Sequence, residues 1–182
     1  GLEANHEGVV DLIHRKAIYF KEPMGLNVVE DAVPGHMMTE MEERRQELIE
    51  CVSDADEQLG DLFLEEKTPT EDDIHAAVRR TCLKRAFTPV LLGTALKNKG
   101  VQPLLDAVIK YMPNPAQVPN IAMDNSKAEI EKVELNPERN DKAPFLGLAF
   151  KLEAGRFGQL TYMRIYQGCL RKSDMIINTR TD

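Results

Sequence analysis

The sequence predicts an α/β unit followed by an incomplete antiparallel β-barrel, and three observations carry that expectation. A continuous apolar run, Pro89-Val90-Leu91-Leu92, leads through a polar turn into a helix-periodic stretch, the β-loop-α pattern of a sheet covered on both faces. Before it lie short β-branched runs and helical stripes. After it, from Pro144 onward, only strand signals remain.

The short runs come first. Gly8 to Ile13, Lys16 to Phe20 and Leu26 to Val29 are rich in β-branched and aromatic residues and separated by turn residues, which predicts a small antiparallel sheet. Pro34-Gly35 breaks the chain. Leu48, Val52, Ala55, Leu59 and Leu62 then recur with the period of one buried stripe, predicting a single long helix with an acidic outer face. A second helix starts at Thr70, whose hydroxyl can cap free N–H groups. Glu71, Asp72 and Asp73 fill its electropositive first turn, and Ile74, Ala77, Val78, Thr81 and Cys82 point inward. Residues 1–87 thus read as three strands and two helices.

Residues 88–113 read as the last strand, a turn from Gly93 to Gly100, and a helix. Val101, Leu104, Leu105, Val108, Ile109 and Met112 repeat at helical spacing, Pro103 suits the first turn, and Pro113 ends the helix. Residues 114–143, punctuated by Pro115, Pro119 and Pro137, read as a linker. In 144–182, strands are expected at Phe145 to Leu152, Leu160 to Tyr166 and Met175 to Asn178. Three strands cannot close a barrel, so that domain is expected to be truncated.

Bulk properties exclude several classes. The net charge is -7, and it is unevenly distributed: residues 1–92 carry 20 acidic and 10 basic side chains, residues 93–182 carry 10 and 13. The first half should repel a phosphate backbone, whereas the second could approach one. No apolar run nears the roughly 20 residues of a membrane-spanning helix, so no membrane partner is expected. Cys51, Cys82 and Cys169, and His6, His14, His36 and His75, show no metal-ligand spacing; no metal site and reduced thiols are expected. No phosphate-binding loop, nucleophile elbow or zinc-helix motif occurs, so no catalytic residue is assigned.

The Gly93–Gly100 turn is the informative segment. It leaves the end of a strand run, where α/β proteins bind ligands; Ala95 is small enough to admit a flat ring and Thr94 offers a hydroxyl. On the residues alone, a plain strand-to-helix connection is the favoured reading.

Pro89 to Pro113 resembles the fifth guanine-nucleotide motif of translational GTPases, whose usual core is Ser-Ala-x; here Thr94 replaces the serine and keeps its hydroxyl. Upstream, Arg45 to Val52 and Asp56 to Gly60 are similar to the subdomain inserted in the GTPase domain of the elongation factor G family. Downstream, Gly147 to Glu153 and Gly155 to Gly168 are similar to the opening strands of that family's second, β-barrel domain, with Ser173 where glycine is common. The Glu50-Cys51-Val52, Phe63 to Glu66 and Arg156 to Gln159 stretches are closer to its mitochondrial form.

The resemblance implies the C-terminal part of a P-loop GTPase domain with an α+β insert, then an incomplete antiparallel β-barrel, in an internal piece of a larger protein. It implies that Thr94, Ala95 and Leu96 line a guanine ring, with the Ala95 N–H donating to the exocyclic oxygen. Glu43, Glu47 and Glu50 become candidate contacts for the ribosomal stalk protein, and Arg164, Arg171 and Lys172 for small-subunit ribosomal RNA. GTP or GDP and Mg2+ are expected in the full-length protein but not on this piece, which lacks the phosphate loop and switch regions and is expected to be inactive alone. The implied role is GTP-dependent translocation of tRNA and mRNA by a monomer in the mitochondrial matrix. A mitochondrial recycling paralogue, a ribosome-protection protein and a non-enzymatic ribosome-binding adaptor stand as alternatives.

Overall fold

The computed structural model describes residues 5–124, 129–156 and 158–181, in two units, Gly1–Met112 and Pro113–Asp182. Phe157, within one of the stretches used above, lies outside the described residues.

The first unit begins with the expected small sheet. Strands β1 (Gly8–Asp11), β2 (Lys16–Lys21) and β3 (Asn27–Ala32) pair antiparallel in the order β1-β2-β3, with Val9 opposite Ile18 and Tyr19 opposite Val29. Ala17 and Phe20 lie on opposite faces of β2 and are both buried, each 3% exposed, while β3 is an exposed edge.

The long helix expected across residues 42–62 is two. Helix α1 (Met38–Ser53) ends at Asp54, and α2 (Glu57–Leu64) starts afresh at Asp56, whose carboxylate accepts from the Leu59 N–H at 3.0 Å. Stopping one helix and capping the next lets Val52 and Leu59 both reach the core at 0% and 1% exposure. Helix α3 (Glu71–Leu83) forms as expected, with a reciprocal capping box between Thr70 and Asp73. Ile74, Ala77, Val78 and Thr81 are buried, and with Ile49, Val52, Leu59 and Tyr111 they make the core of this unit. Full burial of one such aliphatic side chain contributes about 1.5–3 kcal/mol.

Helix α4 (Val101–Tyr111) also forms, but its apolar stripe is not covered: Leu104, Leu105, Val108 and Ile109 are 48–79% exposed. The strand expected at Pro89 to Leu92 is absent. A strand exists only when another backbone pairs with it, and among the described residues none reaches this run; Val90 and Leu92 are 84% and 72% exposed.

In the second unit the expected linker contains a hairpin, β4 (Asn120–Asp124) paired antiparallel with β5 (Glu131–Leu135). The prolines frame these strands rather than interrupt them. Strands β6 (Leu146–Gly155) and β7 (Gly158–Gln167) pair as expected, with register shifts at Leu146/Gly147 and Ala149/Lys151 that bend the ribbon. The strand expected at Met175 to Asn178 does not form, for the same want of a partner, and among the described residues no barrel closes.

Candidate functional site

The turn at Thr94 to Lys99 is closed by its own backbone. Thr94 and Lys99 form an isolated antiparallel bridge, the Thr94 N–H donating to the Lys99 carbonyl at 2.8 Å and the Lys99 N–H back to the Thr94 carbonyl at 3.1 Å. Between them Ala95–Lys97 make one 3-10 turn, and Asn98 reverses the chain at φ 52°. Lys97 is the first residue of that turn to donate within it, at 3.1 Å to the Thr94 carbonyl. The Ala95 and Leu96 N–H groups precede it and stand outside the ladder, as the leading donors of any helical turn do. Ala95 and Leu96 are exposed, Leu96 to 94%, and Thr94 is half-buried. These two donors beside a small side chain could serve an acceptor on a flat ring.

Two glycines permit the closure. A Cβ on Gly93 would lie 2.6 Å from the Lys99 carbonyl oxygen, and Gly100 takes φ +84° with a Cβ position 2.6 Å from the Leu92 carbonyl oxygen. The back of the turn is fastened to the β2–β3 connection and to the segment before β1. Asn98 Nδ2 donates to the Met24 carbonyl at 3.1 Å, Gln102 Nε2 to the Gly25 carbonyl at 3.2 Å, and Lys99 Nζ to the His6 carbonyl at 2.9 Å. The turn is held from behind and open in front.

Glu43, Glu47 and Glu50 are exposed on one face of α1, spaced four and three residues apart. Arg44 donates to Glu47 at 2.8 Å and Gln46 to Glu50 at 3.0 Å. Arg164 lies exposed on β7 with its guanidinium 4.7 Å from the Tyr166 ring centre. Arg171 and Lys172 sit beyond it in a tight turn, where the Asp174 carboxylate accepts from the Arg171 N–H at 2.6 Å and Ser173 takes φ +72°, the conformation a glycine would hold more easily. The Arg171 guanidinium is paired with Asp141.

Sequence reasoning missed two polar clusters. In one, Asp11 at the end of β1 accepts from His14 Nδ1 at 2.7 Å, His14 Nε2 lies 3.3 Å from His75 Nε2 on α3, and His75 Nδ1 lies 2.6 Å from the Tyr111 hydroxyl on α4. Burial pushes Tyr111 up to about 12 and His75 below its ordinary value, while the His14 contacts hold Asp11 low against its own burial. Neutral rings satisfy every contact if Tyr111 donates to His75, His75 to His14, and His14 to Asp11. In the other, Asp56, 2% exposed, accepts two bonds from the Arg80 guanidinium at 2.8 and 2.7 Å while capping α2. Both clusters join residues from separate elements, and only the fold brings them together.

No family model matches the chain. It is 62% identical over all 182 residues to mitochondrial elongation factor G of Anopheles gambiae, and 61% identical to that of Aedes aegypti, covering 24% of each. Mitochondrial elongation factor G of Drosophila melanogaster is 62% identical over 183 residues, 25% of its length. The chain therefore spans about a quarter of the curated relatives it matches. A protein of solved crystal structure from Thermus thermophilus shares the fold, with a TM-score of 0.65 over 96% of this chain and 23% of that one at 24% identity. Identity at this level over the whole of the chain places it in the elongation factor G family, in its mitochondrial form.

Proposed function

We propose that this chain supplies the guanine-facing turn, the insert subdomain and the opening barrel-domain strands of a GTPase that drives movement of tRNA and mRNA through the ribosome of the mitochondrial matrix. Residues 1–87 are read as the insert, 88–113 as the end of the GTPase domain, 114–143 as the connection and 144–182 as the start of the second domain. The observation that carries the reading is the Thr94–Leu96 turn, braced from behind, with its two leading N–H groups turned out of its own ladder. In the intact protein the Ala95 N–H donates to the guanine exocyclic oxygen, Leu96 covers the ring edge and the Thr94 hydroxyl borders it. GTP hydrolysis is a matter of positioning phosphates and Mg2+. Those groups fall to residues outside this chain, which alone turns over no GTP; steady hydrolysis by the purified 182-residue chain would refute that.

Ala95→Pro tests the turn. Proline removes the N–H but suits the first position of a helical turn, and Thr94, at φ -130° and ψ 101°, is already in the extended region that a residue before proline favours. In the intact factor the variant should bind GDP about tenfold more weakly or worse, the cost of one lost buried hydrogen bond. Unchanged GDP affinity would remove the assignment.

The exposed glutamates of α1 are read as the stalk-protein contact, and Arg164, Arg171 and Lys172 as phosphate contacts on small-subunit RNA. Reversing the charges of Glu43, Glu47 and Glu50, or neutralising the three cations, should slow ribosome-stimulated turnover of the intact factor severalfold. Turnover indifferent to one set removes that set from the interface.

A further inference from the structure

An open cleft of about 600 Å³ lies between α1 and the segment that follows α2. Ile49, Phe63, Leu64 and Pro69 give it an apolar wall. Three cations also line it, and they differ in kind. Arg15 is engaged by Glu42, Nε to Oε1 3.2 Å, and Lys67 by Glu65, Nζ to Oε2 2.6 Å. Arg45 has no such partner: it is 4% exposed, makes no hydrogen bond or ion pair among the described residues, and its Nε is buried with nothing to donate to. Arginine stays charged under all ordinary conditions, and burying its Nε with no acceptor is unfavourable. The surroundings make matters worse, for burial first and the neighbouring Arg15 second both disfavour its charged form, against weaker support from Glu42 and Glu71.

We propose that this cleft binds a carboxylate carried on a short apolar group, with Arg45 as the counter-charge at its base and Phe63, Leu64 and Pro69 covering the apolar portion. The walls select the class: Arg45 lacks a hydrogen-bonded acceptor, and Glu42 and Glu66 beside it would repel a dianionic phosphate more strongly than a monoanion. A planar carboxylate also matches the fork of a guanidinium, two parallel N–H···O bonds, where a hydroxyl or amide would leave the charge unanswered. The site lies on elements unrelated to the guanine-facing turn and does not depend on that reading.

Titration calorimetry on the 182-residue chain, with octanoate, octanamide and N-acetyl-leucine as probes, tests it. Octanoate should bind saturably and raise the unfolding temperature, and octanamide should bind about tenfold more weakly or not at all. N-acetyl-leucine binding as well as octanoate identifies a peptide carboxylate as the natural occupant, whereas preference for octanoate identifies a free aliphatic acid; either supports the site. Arg45→Gln should abolish the difference between acid and amide, and Arg45→Lys should restore part of it. The wild-type comparison of acid with amide needs no variant to fold. Equal binding of the two, no saturable binding of either acid, or discrimination that survives in Arg45→Gln would overturn the proposal.

Discussion

Arg80→Ala is expected to destabilise the chain by about 1–3 kcal/mol, the cost of leaving a buried acceptor without its partner. Asp56 is the member that stays. It is 2% exposed, and beyond Arg80 its partner among the described residues is the Leu59 N–H that it caps, so without the guanidinium a carboxylate sits in the interior with one bond. The converse change, Asp56→Ala, costs less at Arg80, whose side chain is 34% exposed and can turn to water, though it also forfeits the cap of α2. Urea denaturation of the two variants reads the asymmetry; Arg80→Ala losing less than about 1 kcal/mol, the range of exposed pairs, would show that water already serves Asp56. The pH dependence has a definite sign. Hydrogen bonds from Arg80 outweigh burial and hold the Asp56 carboxyl below its ordinary value. Its contribution is therefore complete above the unfolded carboxyl pKa of about 3.9 and is lost as pH falls through the lower folded value. In Arg80→Ala that contribution is already gone, so the stability gap between wild type and variant should narrow as pH falls through this range.

Gly93→Ala is expected to weaken guanine-nucleotide binding by the intact factor between about tenfold and a hundredfold, the equivalent of about 1.4–2.8 kcal/mol. The new Cβ would lie 2.6 Å from the Lys99 carbonyl oxygen and 3.2 Å from Gly100 Cα. Both are backbone atoms, with no flexible side chain to swing away. Relief requires opening the bridge between Thr94 and Lys99, and that bridge closes the turn that carries the Ala95 and Leu96 N–H groups. Gly35→Ala is the control, since nothing lies within 4 Å of a Cβ there. Equilibrium binding of a fluorescent GDP analogue compares them, and equal affinities would mean that the turn adapts without cost.

Local rules succeeded where the structure is local. The cap at Thr70, the buried stripe of α3, the three strands of the first sheet and the two glycines that bound the turn were all legible, because each depends on neighbours within a few residues. The break between α1 and α2 was hidden because the stripe Leu48, Val52, Ala55, Leu59 keeps helical spacing straight through it. The sign was Asp56, a capping residue followed by Glu57 in a new first turn. Pro89 to Leu92 and Met175 to Asn178 failed differently: an apolar run records a need for burial, not the presence of a partner strand. Polar clusters were illegible in principle. His14 and His75 are 61 residues apart, His75 and Tyr111 36, and nothing in one segment announces the other. Arg45 was hidden because a charged residue on an acidic helix reads as solvated until its burial is known.

The three side-chain bonds behind the turn, from Asn98, Lys99 and Gln102 to the carbonyls of Met24, His6 and Gly25, make a linkage as well as a support. A Cβ at Gly25 would come within 2.6 Å of the Asn98 carbonyl oxygen, so the two backbones are in direct contact and the joint has no slack. A load applied to the edge strand β3 would be delivered to the rear of the segment proposed to grip the base, much as a trigger meets a sear. The first unit thus carries a continuous hydrogen-bonded path from its β2–β3 connection to its turn.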